Sequence, residues 1–178
     1  MRSYELPSLV ETPSHENITD LLLNRVRKTP NIPLYAIEKT PGVWTDVSAK
    51  DFLEQVEDLA KGFIAAGIRP GDAVAIMSRT RYEWALVDYA LWFAGAVSVP
   101  IYETSAPAQI EWVLSDSGAV ALFVETSEHL SRFESIKTSV PSVKQVWKFE
   151  DDSLVKLVAM GRDCLLYTSD AADEEDSV

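Results

Sequence analysis

Cysteine is almost missing from this 178-residue chain: one residue, Cys164, excludes an internal disulfide. Histidine is nearly as scarce. The two present, His15 and His129, stand far apart without partners at ligand spacing, so no metal site is expected. The seven glycines form neither GxGxxG after the first sheet strand nor GxxxxGK[ST], which excludes a dinucleotide fingerprint and a Walker-type phosphate loop. No G-x-S-x-G elbow supports a serine hydrolase. The longest apolar stretch, Trp84 to Val99, is broken by Asp88 and is too short to span a bilayer. Positive charge is in deficit: 16 basic against 28 acidic residues give a net charge of -12, which argues against a nucleic-acid partner. The start, MRSYELPSLVETPSHENITD, has neither a basic n-region nor an apolar h-region, so a signal peptide is not expected and the cytoplasm is the expected location.

What is present is regular. The 47% of hydrophobic residues suits one domain with a real core. NITDLLLNRVRKTP sets Ile18, Leu21, Leu22 and Val26 on one helical face, with Asn17 or Thr19 as cap and Pro30 as stop. LYAIEK and VWTDVS around a Thr-Pro-Gly turn read as a hairpin. In SAKDFLEQVEDLAKGFIAAGI, Phe52, Leu53, Val56, Leu59, Ala60, Phe63 and Ile64 form a helical stripe. Ser48 and Asp51 are its capping pair, and Gly67 suits the left-handed position beyond it.

A β-α rhythm follows. DAVAIM, AVSVPI, AVALFVE and VKQVWKF read as strands. TRYEWALVDYALWFAG reads as a buried helix with Thr80 and Glu83 as a capping box, and Trp84, Tyr89, Trp92 and Phe93 filling core. APAQIEWVLSDSG and SEHLSRFESI are the other two helices, the first ending at Gly118. Apolar strands alternating with helices imply a parallel sheet covered on both faces.

Two places invite a chemical reading. The patch Ile101 to Ser105 follows a strand, where ligands of open α/β sheets bind. As scaffold, Pro100 ends pairing, Thr104 or Ser105 caps the next helix, Tyr102 packs its ring, and Glu103 has no acid-base partner. Arg79 and Arg81 either hold an anion in forked geometry or are solvated charges at a helix start. Asp88 is expected to find a polar neighbour or the surface.

The last stretch, CLLYTSDAADEEDSV, carries five acidic residues, Asp170, Asp173, Glu174, Glu175 and Asp176, and no basic one. It reads either as a solvated acidic tail or, through CLLYTSDAADE, as the conceptual translation of a transposase-type sequencing-library adapter. On the second reading residues 1–163 are native and 164–178 are not.

The pieces GVWTDVS, GIRPGDAVAIMS, RYEWALVDYALWFAGAVSVPIYETS and QIEWVLSDSGAVALF together resemble the N-terminal part of the AMP-forming acyl-CoA synthetases, in the adenylate-forming superfamily. The likeness is to the bacterial long-chain fatty-acid–CoA ligases and covers roughly residues 4–155. It implies a partial N-terminal subdomain of that α/β fold: a parallel sheet flanked by helices with a small hairpin near the start. It implies a parent enzyme that uses Mg and ATP to adenylate a fatty acid and then transfers the acyl group to coenzyme A. The parent needs no transmembrane segment, and peripheral membrane contact is left open. A carboxylate is a poor electrophile until its oxygen becomes a good leaving group, so such an enzyme must orient two anions and shield developing charge. The family does this with a Ser/Thr/Gly-rich loop ending in Pro-Lys, an acidic magnesium ligand, an adenine pocket and a lysine in a mobile domain. All of these follow the region matched here. Tyr167-Thr168-Ser169 resembles the opening of that loop but lacks its glycines and lysine. No catalytic, cofactor-binding or metal residue is therefore assigned, and no cofactor is expected to bind this chain well. The competing expectation is a complete small α/β binding module with a true acidic tail.

Overall fold

The computed structural model describes residues 17–162 and Cys164. The expectations about His15 and about residues 165–178 lie outside them. Helix α1 (Ile18–Lys28) leads into a hairpin of β1 (Pro33–Thr40) and β2 (Val43–Ser48), then α2 (Ala49–Ala65). There follow β3 (Ala73–Met77), α3 (Tyr82–Phe93), β4 (Val97–Ile101), α4 (Pro107–Ser117), β5 (Ala121–Val124), α5 (Ser127–Glu134), β6 (Gln145–Lys148) and α6 (Ser153–Gly161).

Strands β3 to β6 form a parallel sheet in the order β4-β3-β5-β6, and the hairpin is a separate antiparallel pair. The central strands read AVAIM and ALFV because side chains on both faces are covered. Their alternation divides the core in two. Val74, Ile76, Ala121 and Phe123 join Phe52, Val56, Leu59, Phe63, Val87, Leu91 and Leu157 on the face covered by α2, α3 and α6. Ala75, Met77, Leu122 and Val124 meet Ile110, Leu114 and Phe133 of α4 and α5 on the other.

The strongest local signals hold. Ser48 caps α2: its hydroxyl accepts from the Asp51 N–H at 3.1 Å, and the Asp51 carboxylate reaches back to the Ser48 N–H. Asn17 caps α1, reciprocated by Asp20. Gly67 (φ 91°) and Gly118 (φ 63°) take the left-handed positions that end their helices.

Four expectations change. In α1 the packed residues are Leu22, Leu23 and Val26, while Ile18 and Leu21 are 42% and 59% exposed, because the helix rests on α2 and α3 by one narrow seam. The N-cap of α3 is Arg81, not Thr80, and the Glu83 carboxylate accepts from Arg81 Nε at 2.7 Å instead of from a cap backbone. At α4 the boundary residue is Ala106 rather than Thr104 or Ser105, and the Gln109 side chain accepts from its N–H at 2.9 Å. The aromatic set of α3 is only partly core: Phe93 is buried, whereas Trp84, Tyr89 and Trp92 are half-buried at its margin.

Asp88 lies buried on α3, 7% exposed, beside Ser98 of β4. Burial pushes its carboxyl up, and the Ser98 hydroxyl offsets part of that without a hydrogen bond of normal geometry. A carboxyl raised in the folded state costs nothing below its unfolded pKa of about 3.9 and costs most above the folded one. Asp88→Asn is therefore expected to raise the urea midpoint at pH 7. The gain should shrink as the pH falls toward the ordinary aspartate range. A gain equally large in strong acid would assign it to something other than charge burial.

Candidate functional site

The sheet order places a topological switch point between β3 and β5, since β3 leads on to β4 on one side and β5 to β6 on the other. Ligands of open α/β sheets bind outside the carboxyl ends of strands at such a point. Three connections converge there: Ser78-Arg79-Thr80 after β3, Tyr102-Glu103 after β4 and Glu125 after β5.

Glu125 sits at the centre. It closes an otherwise apolar strand and is 3% exposed, although the Arg79 side chain that covers it is 70% exposed. The carboxylate is thus hidden from water under a thin lid. Arg79 donates to it from three groups: the backbone N–H to Oε2 at 2.9 Å, Nη2 to Oε1 at 2.9 Å, and Nε to Oε1 at 3.2 Å and Oε2 at 3.4 Å. Arg81 Nη1 stands 3.6 Å from Oε1. Ser78 Oγ is 3.4 Å from Oε2 and donates to the Arg79 carbonyl at 2.8 Å. The Arg79 hydrogen bonds hold the Glu125 carboxyl below the usual carboxylate range against the opposing effect of burial. Arg81 is itself fixed from two sides, by Glu83 and by the Phe149 ring, whose centroid is 5.5 Å from the guanidinium carbon.

Beside this knot lies a cleft of about 520 Å³ between the ends of β3 and β4. It is lined by Ser78, Arg79, Thr80, Trp84, Pro100, Ile101, Tyr102 and Glu103. Tyr102 is 82% exposed, so its ring does not pack into the scaffold as expected. The loop is steadied from the neighbouring helix: Arg132 Nη1 of α5 donates to the Glu103 carbonyl at 2.6 Å.

Of the two arginines singled out in the sequence, Arg79 does hold an anion in forked geometry while staying 70% exposed, and Arg81 stands close to the same group; the anion is the chain's own Glu125. The patch after β4 does line the cleft next to them. Glu125 itself escaped sequence reasoning. Its signal was present, a lone acid ending the apolar run AVALFV at the carboxyl edge of a strand. His129 is buried on α5 with Nδ1 unpartnered, and among the described residues no three His, Cys, Asp or Glu side chains come together as a metal cluster. Nor is any described helix long and apolar enough to cross a membrane.

A family model described as AMP-binding enzyme matches residues 22–176. The chain belongs to this AMP-binding family. It is 40% identical over 146 residues to the long-chain-fatty-acid–CoA ligase FadD15 of Mycobacterium tuberculosis, covering 82% of this chain and 24% of that protein. Human long-chain-fatty-acid–CoA ligase ACSBG1 is 28% identical over 103 residues, 58% of this chain and 14% of the relative. The chain thus spans about a quarter or less of the length of these relatives. Among solved structures, a long-chain-fatty-acid–CoA ligase (FadD1) from Archaeoglobus fulgidus superposes with a TM-score of 0.74 at 23% identity, over 89% of this chain and 32% of that one. The anthranilate CoA ligase AuaEII in complex with anthranoyl-AMP gives 0.72 at 21%, over 83% and 28%. At these identities the structures establish the fold: the sheet with its hairpin is that of the N-terminal domain of adenylate-forming enzymes.

Proposed function

We propose that this chain is part of a cytoplasmic long-chain fatty-acid–CoA ligase that adenylates a fatty acid with Mg-ATP and passes the acyl group to coenzyme A. The observation that carries this reading is the 40% identity to FadD15 across 82% of the chain, well above what a shared fold alone requires. The described residues supply the sheet and its rim. They supply no loop of glycines and hydroxyls for the triphosphate and no lysine for the transferred group. The chain by itself is accordingly scaffold, without adenylation activity. The proposal extends to residues 164–178, read as adapter translation. The family match crosses this segment, but there only Tyr167, Thr168 and Ser169 resemble the phosphate loop.

Two measurements test this. The purified 178 residues, given palmitate, Mg-ATP and coenzyme A, should release no AMP above the no-enzyme blank; thioester formation would overturn the reading. Resequencing the source locus should run past the Asp163 codon into a Ser/Thr/Gly-rich loop. A native stop codon just after Val178 would instead support the complete binding module with an acidic tail.

A further inference from the structure

The groups around Glu125 make up the donor set of an oxyanion site: a backbone N–H just past a strand end, a forked guanidinium and a second guanidinium, arranged at the switch point of a parallel sheet. Such a set ordinarily receives a ligand's phosphate or carboxylate. Here the anion is on the chain. We propose that the crevice between β3 and β5 is an oxyanion site whose resident anion is the Glu125 carboxylate. Arg79 and Arg81 act as its latch, and the site is closed to phosphate-class ligands as long as Glu125 is in place.

Three observations converge on this. Glu125 leaves the β5 strand with its backbone still paired, its N–H donating to the Met77 carbonyl at 3.1 Å, so the side chain is directed from a fixed main chain. The carboxylate is buried, and both of its oxygens are engaged, Oε1 by the guanidinium and Oε2 by the backbone N–H. The surrounding acids, Glu83 on Arg81 and Glu103 and Glu150 at longer range from Arg79, add repulsion against a second anion. The consequence for ligand binding is a shift of address. The open cleft lies over β3 and β4, where Trp84 and Tyr102 bring rings to a lining that it shares with Arg79 and Glu103, beside the crevice that Glu125 fills.

The probe is inorganic phosphate, followed through the Arg79 and Arg81 Nε–H signals by NMR at constant ionic strength set with chloride. In the unmodified chain these signals should not move with phosphate. In Glu125→Gln, which keeps the shape and removes the charge, they should titrate, with phosphate held about tenfold or more tighter than by the unmodified chain. Adding Arg79→Ala to Glu125→Gln should abolish the response. Equal phosphate response in the unmodified chain and Glu125→Gln overturns the proposal, as does a folded Glu125→Gln that ignores phosphate. Should Glu125→Gln fail to fold, the unmodified chain still decides. Saturable movement of its arginine signals by phosphate refutes a closed site, and silence up to the highest phosphate tested supports one.

Discussion

Phe123→Ala is expected to remove about 3–5 kcal/mol of folding free energy, from a total that for domains of this kind is about 5–15 kcal/mol. The reason is position as much as size. Phe123 stands on β5, an interior strand, with no exposed surface. Its ring is stacked on Phe149 at 5.2 Å between centroids, tilted against Trp147 at 4.9 Å and edge-on to Phe63 of α2 at 5.8 Å. One side chain therefore joins the sheet, the helix layer and the segment after β6. Aromatic pairs of this kind add about 0.5–1.5 kcal/mol each beyond the area they bury, and the void left by alanine cannot be refilled from two elements at once. Trp112→Ala is the matched control. Its ring is 66% exposed on α4, and its loss should stay within about 0.5 kcal/mol. Urea midpoints at constant slope would measure both. A Phe123→Ala penalty no larger than that of Trp112→Ala would mean that the aromatic cluster does not form.

The contrast between those two residues also shows what the sequence could and could not say. The periodic elements were legible because burial and hydrogen bonding leave a period. Phe52, Val56, Leu59 and Phe63 recur as a helix requires, and Ser48 and Asp51 announce the start of α2 by a spacing that only a capping box needs. The family was legible through several ordinary pieces together, all of which lie inside the matched residues 22–176. What was not legible depends on partners distant in sequence. Glu83 is spaced for a cap, yet the Arg81 guanidinium two residues earlier is the stronger donor and takes its carboxylate. Arg79 and Arg81 could be read as an anion clamp or as solvated charges, and neither reading could name Glu125, which comes 46 residues after Arg79. Composition and spacing see neighbours along the chain, while a salt-bridged knot at a sheet edge is assembled by topology. The helix α6 was missed for a related reason: it is nine residues long, has no side-chain cap hydrogen bond and buries only Leu157 and Gly161.

That short helix is held by an unusual contact, and the second large prediction tests it. Gly161→Ala is expected to destabilise the protein by about 1–3 kcal/mol, the range for overpacking a tight contact. By intrinsic propensity alone the same change in a helix should stabilise it by about 1 kcal/mol. The sign decides between the two effects. A Cβ on Gly161 would lie 2.6 Å from the Lys61 carbonyl carbon and 2.8 Å from Lys61 Cβ, while one on Gly62 would lie 2.6 Å from the Leu157 carbonyl carbon. These neighbours are backbone carbons of the opposite helix and a Cβ fixed to that backbone, so no rotamer change relieves the clash. The α2 and α6 axes must part, which withdraws Leu157 from Phe63 and the rest of the core it shares. Gly62→Ala should cost as much by the same separation. The double variant should then cost little more than either single one, because a gap opened once need not be opened twice. Stabilisation by Gly161→Ala, or strict additivity of the pair, would show that α6 does not pack against α2 backbone to backbone.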